Sequence, residues 1–178
     1  MVDIRPLSPE TLNQFLEFME GPAFESVPRW AGCYCQHYLN TDEQNSSKDN
    51  NRALTCERVE NGKMTGYLAF EGEQVIGWVA ANRGNNFIQL PPTNDEAARI
   101  LCFVVAPNHQ GKGVATSLLE FALKDLKSLG FTSVEAAPRS GDEFDITAYR
   151  GKLSTFLKHG FQVVQEFDER SVLVHREL

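Results

Sequence analysis

Apolar positions along the chain fall into two kinds of run, one alternating residue by residue and one spaced three or four apart, which separates strands from helices. Val2 to Leu7 reads as a short strand. Ser8-Pro9-Glu10 then offers an N-cap, a first-turn proline and an early carboxylate, and Leu12, Phe15, Leu16 and Met19 share one face of a helix that runs to Gly21. From Gly21 to Ser47 the pattern fails: Pro22, Pro28, polar clusters and scattered aromatics predict a long connection with room for a short helical turn. Lys48 to Asn61 is a weaker helix closed by Gly62, and Thr65 to Phe70 with Val75 to Ala81 form an antiparallel hairpin around Glu71-Gly72-Glu73-Gln74. After a polar stretch from Asn82 to Asp95, the apolar run Ile100 to Ala106 reads as a buried strand that Pro107 closes.

Gly113 to Leu129 carries the clearest helical stripe, with Val114, Leu118, Ala122 and Leu126 every four residues and Leu119, Leu123 and Leu129 widening it, so this helix must pack on a sheet. Phe131 to Ala137 is a further strand, Ala148 to His159 a further helix capped by Gly160, and Phe161 to Phe167 with Arg170 to His175 a final hairpin. The order β α (α) β β β α β α β β predicts one domain over residues 1–178, of α/β (α+β) class, with helices on both faces of a mixed sheet. A chain of 178 residues, 42% hydrophobic and 23% charged, is large enough for such a core to stand without disulfide or metal. The apolar run Ile100 to Ala106 falls far short of the roughly 20 residues of a membrane-spanning helix. The N-terminus lacks the basic, apolar and small-residue order of an export signal, so a cytoplasmic location is expected, with Cys33, Cys35, Cys56 and Cys102 reduced. A net charge of −7 with no basic stripe opposes nucleic-acid binding.

The most chemically informative residues are Gln110-Gly111-Lys112-Gly113-Val114-Ala115, between the buried strand and the strongest helix. Glycines there let the backbone approach a ligand, and the first helical turn presents unpaired N–H groups with partial positive charge, an arrangement suited to a phosphate or pyrophosphate. A solvated strand-to-helix turn has the same local sequence. A Walker A loop is excluded, because Ala106 and Gly113 stand where it requires glycine and Ser or Thr. A dinucleotide fingerprint would need glycine or alanine at Thr116, although Glu135 lies near the distance of a ribose-binding carboxylate.

The stretch Ile100 to Pro107, followed by His109-Gln-Gly-Lys-Gly-Val-Ala115 and its amphipathic helix, resembles the acetyl-CoA-binding motif Gln/Arg-x-x-Gly-x-Gly/Ala of the GNAT superfamily of N-acetyltransferases, on Gln110, Gly113 and Ala115. Tyr149 to Phe161, with Lys158-His159-Gly160-Phe161 at its end, resembles the later helix of that superfamily, and Ile4-Arg5-Pro6 its opening strand. The resemblance implies a largely antiparallel central sheet of about six to seven strands flanked by helices. It further implies acetyl transfer from acetyl-CoA, as cosubstrate and without a metal, to an amine of a small molecule or peptide by direct attack. Backbone groups of Phe103, Val104 and Val105 would pair with the pantetheine amides, and Gln110, Gly111, Lys112, Gly113, Val114 and Ala115 would surround the pyrophosphate, with Lys152 or Lys158 adding charge.

The resemblance also marks a departure. Where relatives commonly place a proton-donating tyrosine, five residues before the Phe of the Gly-Phe pair, this chain has Phe156. Tyr149 is the nearest replacement, as proton donor or as cofactor contact. Glu135, or Asp142, Glu143 and Asp145 in the following loop, are candidate bases, and a water chain is an alternative. The loss of the usual tyrosine leaves a non-catalytic acyl-CoA-binding or regulatory module as the competing expectation. Cys33, Cys35 and His37 alternate but lack a fourth ligand, so they are expected to line the acceptor pocket together with Trp30 rather than to hold a metal. Exposed strands at either end leave room for a homodimer.

Overall fold

The computed structural model describes residues 2–44, 47–90, 93–141 and 148–178. Its alternating runs become seven strands of one sheet: β1 (Asp3–Pro6), β2 (Gly66–Glu71), β3 (Gln74–Arg83), β4 (Ala98–Val105), β5 (Ser133–Ala136), β6 (Gln162–Asp168) and β7 (Ser171–Glu177), in the spatial order β1-β2-β3-β4-β5-β7-β6. Every neighbouring pair is antiparallel except β4 with β5. The helices are α1 (Leu12–Glu20), α2 (Lys48–Glu60), α3 (Val114–Ser128) and α4 (Leu153–Lys158). The mixed, mostly antiparallel sheet and its flanking helices are as expected.

Each face of the sheet has its own core. Phe15, Phe18 and Met19 of α1 pack with Trp78, Leu101 and the long connection's Phe24, Tyr34 and Tyr38, whereas Val114, Leu118, Ala122 and Leu126 of α3 pack with Ile76, Val79, Ile100 and Val134 on the other face. The edge of Phe15 meets the Trp78 ring with centroids 4.8 Å apart, an arrangement that matches the ring quadrupoles. The connection itself contains two short 3₁₀ turns, Pro22–Phe24 and Pro28–Trp30, each begun by the proline that the sequence places there.

Two element boundaries differ from expectation for local reasons. Helix α1 starts at Leu12 because Thr11 takes the N-cap position, while the Ser8 N–H donates to Thr11 Oγ1 at 3.0 Å and makes Ser8 to Thr11 a turn. The expected helix from Ala148 to His159 is broken into a 3₁₀ turn, Ala148–Arg150, and α4. Gly151 breaks it with φ at +81°, and a Cβ there would stand 3.0 Å from the Phe156 ring. Tyr149 and Phe156 therefore belong to separate elements.

The feature that positions the site is a parting of strands. β4 and β5 pair only through Ala98 with Val134, Arg99 with Glu135 and Ile100 with Ala136. Beyond that, β4 bulges against β3, and Cys102 takes φ +54°. Leu101 and Cys102 consequently both join the α1-side core, while Phe103 and Val105 turn to the α3 side and Val104 turns back.

Below the parting, Arg99 and Glu135 form an ion pair of 2.6 Å with both side chains fully buried. Arg99 also donates to the Leu90 carbonyl at 2.7 Å, and Glu135 accepts from the Thr93 N–H at 3.1 Å and from the Thr93 hydroxyl. The carboxylate named as a candidate base is thus committed to holding two strands and a loop together. Replacing it by alanine strands a guanidinium without its anion, so Glu135→Ala should lose about 3–5 kcal/mol in urea unfolding. A loss under about 1 kcal/mol would show that the pair does not secure the strands.

Candidate active site

The parting opens into a cleft of about 1070 Å³, walled by the second half of β4, the turn before α3, the long connection, the start of α2 and the segment from Tyr149 to Phe156. Its two ends lie on opposite faces of the sheet. Phe103, Val105, Val114 and Phe156 wall the α3 end, and Phe24, Trp30, Cys35, Cys102 and Tyr149 wall the α1 end.

At the α3 end, the Gln110 side-chain amide donates to the Val105 carbonyl at 3.1 Å and ties the turn to the strand. Gly111 and Gly113 have φ of +73° and +84°, and a Cβ on either would meet nothing within 4 Å, so these glycines serve the backbone path and leave open space above it. The first helical hydrogen bond runs from the Ser117 N–H to the Gly113 carbonyl at 2.9 Å. Among the described residues, no partner is bonded to the backbone N–H groups of Gly111, Lys112, Gly113, Val114, Ala115 or Thr116. Unpaired donors at a helix N-terminus beside a cleft have the chemistry to receive an anion.

Of the residues singled out in the sequence, Phe103, Val104, Val105, Gln110, Gly111, Gly113, Val114, Ala115, Tyr149 and Lys152 line this one cleft. Lys112 is exposed beside the turn without forming part of the wall. Glu135 lies outside the wall, in its pair with Arg99, which removes it as a candidate proton acceptor. Asp142, Glu143 and Asp145 lie outside the described residues.

Two residues that sequence reasoning missed complete the centre. Tyr38 and Tyr149 place their hydroxyl oxygens 3.0 Å apart, and Arg150 Nε donates to Tyr38 Oη at 3.1 Å. Burial, then the bond to Tyr149, pushes the Tyr38 hydroxyl well above the usual tyrosine range. Burial opposes the charge on Arg150, yet the two tyrosines leave that guanidinium raised above its ordinary value. An arginine next to the tyrosine was the available signal, but Tyr38 stands 111 residues from Tyr149.

The Cys33–His37 segment is not extended, since Tyr34 and Cys35 have φ of +48° and +55°. Cys35 is buried, with Sγ accepting from Trp78 Nε1 at 3.1 Å, and its contact with Cys102, followed by burial, holds its thiol well above the ordinary value. His37 is exposed, and no group of three His, Cys, Asp or Glu side chains among the described residues is placed to hold a metal ion. Cys33, Cys35 and His37 all line the cleft.

The sequence pattern of the Acetyltransferase (GNAT) family matches residues 28–151, which span the second part of the long connection, the parting strand and the turn before α3. The chain belongs to the GNAT acetyltransferase family. No curated protein matches it in sequence. GNAT structures share its fold at low identity. An N-acetyltransferase of Staphylococcus aureus Mu50 is 18% identical with a TM-score of 0.59, over 100% of this chain and 98% of that one. A ribosomal-protein-alanine N-acetyltransferase of Brucella melitensis is 15% identical at 0.60, covering 99% of each. A PaiA N-acetyltransferase of Thermoplasma acidophilum, solved in complex with coenzyme A, is 18% identical at 0.58 over 100% and 99%. This GNAT member has no helix, among the described residues, long and apolar enough to cross a membrane.

The buried tyrosines give the fold a spectroscopic signature. Burial, then Glu20, pushes Tyr34 up to about 12, and burial raises Tyr38 and Tyr67 as well, so folding favours their protonated forms. Stability from these groups is complete below the ordinary tyrosine pKa of about 10 and is lost as pH rises through their folded values. Titration at the tyrosinate absorption band should therefore show markedly less ionisation in the native than in the urea-unfolded protein near pH 10.5. Coincident curves would contradict the buried hydroxyl network.

Proposed function

We propose that the protein is an N-acetyltransferase that binds acetyl-CoA in the cleft and transfers its acetyl group to an amine of a small molecule or peptide. The observation that carries this reading is the row of six unpaired N–H groups at the start of α3, reached from the edge of a parted strand. An anionic diphosphate fits that row, and the pantetheine amides fit main-chain groups along the Phe103–Val105 edge that β5 leaves, beside the Val105 carbonyl that Gln110 holds. The coenzyme thioester supplies the activated acyl group. Lys152 on the cleft wall and Lys112 beside it bring local positive charge to a protein of net charge −7.

Tyr149 Oη holds the proton available to a leaving sulfur. With Arg150 donating to Tyr38 Oη, the Tyr38 proton is free to point at Tyr149 Oη, and the Tyr149 proton is then free to point into the cleft. Negative charge left on Tyr149 would be met by a hydrogen bond backed by a guanidinium. This chain thereby answers the phenylalanine at position 156, which is buried against the rings of Phe103 and Phe161 and has a packing role. The amine needs no protein carboxylate as base in this reading, and its proton passes to water. The non-catalytic alternative predicts acetyl-CoA binding without release of coenzyme thiol across an amine panel.

Gly113→Asp should place a carboxylate in the cradle and lower acetyl-CoA affinity at least about 100-fold in calorimetry, with native circular dichroism retained. Affinity within about twofold of the parent would contradict the placement of the diphosphate. Tyr149→Phe should lower kcat by at least about tenfold with acetyl-CoA affinity unchanged.

A further inference from the structure

The charge of the cleft wall is one-sided. Among the described residues lining it, the charged side chains are Arg29, Lys48, Arg139 and Lys152, and none is Asp or Glu, although the chain carries 24 acidic residues against 17 basic. Four arginines elsewhere in this acidic protein pair with carboxylates: Arg5 with Asp3, Arg52 with Glu20, Arg83 with Glu96 and Arg99 with Glu135. Arg29 and Lys48, at the α1 end, have none among the described residues. Glu20, whose carboxylate feels the field of Lys48, is already engaged by Arg52 at 2.8 Å and by the Tyr34 hydroxyl at 2.9 Å.

Both cations are held where an acceptor would pass. The Arg29 guanidinium stands 5.8 Å from the centre of the Trp30 ring, whose edge meets the Tyr149 ring with centroids 6.1 Å apart, so a row of contacts leads from Arg29 to the reacting centre. The Lys48 stem packs against Gly32, where a Cβ would come within 2.8 Å of Lys48 Cγ, and Lys48 lines the cleft. The coenzyme's diphosphate has its own cradle at the opposite end, so these two charges are surplus to it.

We propose that the acceptor is an amine that also bears an anionic oxygen group, carboxylate or phosphate, held by Arg29 and Lys48 while its nitrogen reaches Tyr149. The inference rests on the acetyltransferase reading and names its acceptor class. A polycationic acceptor would meet like charge from Arg29 and Lys48, whereas an amine paired with an acid presents an anion to them. Arg29 offers a fork that fits either oxyanion.

The test uses ω-amino acids of increasing chain length, their amides, the matching diamines and the matching aminoalkyl phosphates. Each is assayed by coenzyme thiol release and, independently, by calorimetric binding to the protein saturated with coenzyme A. The acids or the phosphates should exceed the amides at least about tenfold in both readouts, with diamines weakest, and the ratio of acids to phosphates identifies which oxyanion the site takes. The double variant Arg29→Gln with Lys48→Gln should reduce that preference to under about twofold while coenzyme A affinity is unchanged. Diamines or amides preferred over acids and phosphates, or a preference that survives in the double variant, would overturn the inference in a protein that still binds coenzyme A. Absence of coenzyme A binding would instead overturn the acetyltransferase reading on which it rests.

Discussion

Backbone polar groups in a sheet must find partners, and β4 finds them along one edge for only three residue pairs before β5 diverges. The buried pair of Arg99 and Glu135 secures the last rungs, and the bulge at Cys102 turns the strand away beyond them. Everything at the site follows from that parting. It leaves one edge of β4 without a strand neighbour beyond Ile100, lets the cleft pass from one face of the sheet to the other, and sets Tyr149 beside Tyr38 of the long connection.

The electrostatics are local rather than global. A chain of net charge −7 repels a polyanion at long range, so attraction must come from groups at the point of contact. Under the proposed function, backbone dipoles at the start of α3 provide it without adding mobile charge, and the left-handed glycines at 111 and 113 leave the space above them clear. The other end is walled by side chains, among them Trp30, Arg29, Lys48 and the paired hydroxyls of Tyr38 and Tyr149.

What was legible in the sequence is what short-range physics dictates. The period of α3, the alternation of the hairpins and the glycine turn each act within a few residues, and all three stand where the pattern puts them. Contacts between distant positions were not legible. Glu135 reads as a carboxylate near a cleft until Arg99, 36 residues earlier, is seen to bind it, and Tyr38 lies in a segment whose fold comes from packing rather than periodicity. The helix expected through Tyr149 and Phe156 failed at one residue, Gly151, whose left-handed backbone outweighed the apolar spacing on either side.

The most direct test of the account is an amide-resolved nuclear magnetic resonance titration of the intact protein with coenzyme A. The account predicts that the N–H signals of residues 111 to 116 move first and furthest, with those of Phe103 to Val105 following the same binding curve. Coenzyme binding that left these signals in place while shifting another surface would contradict it.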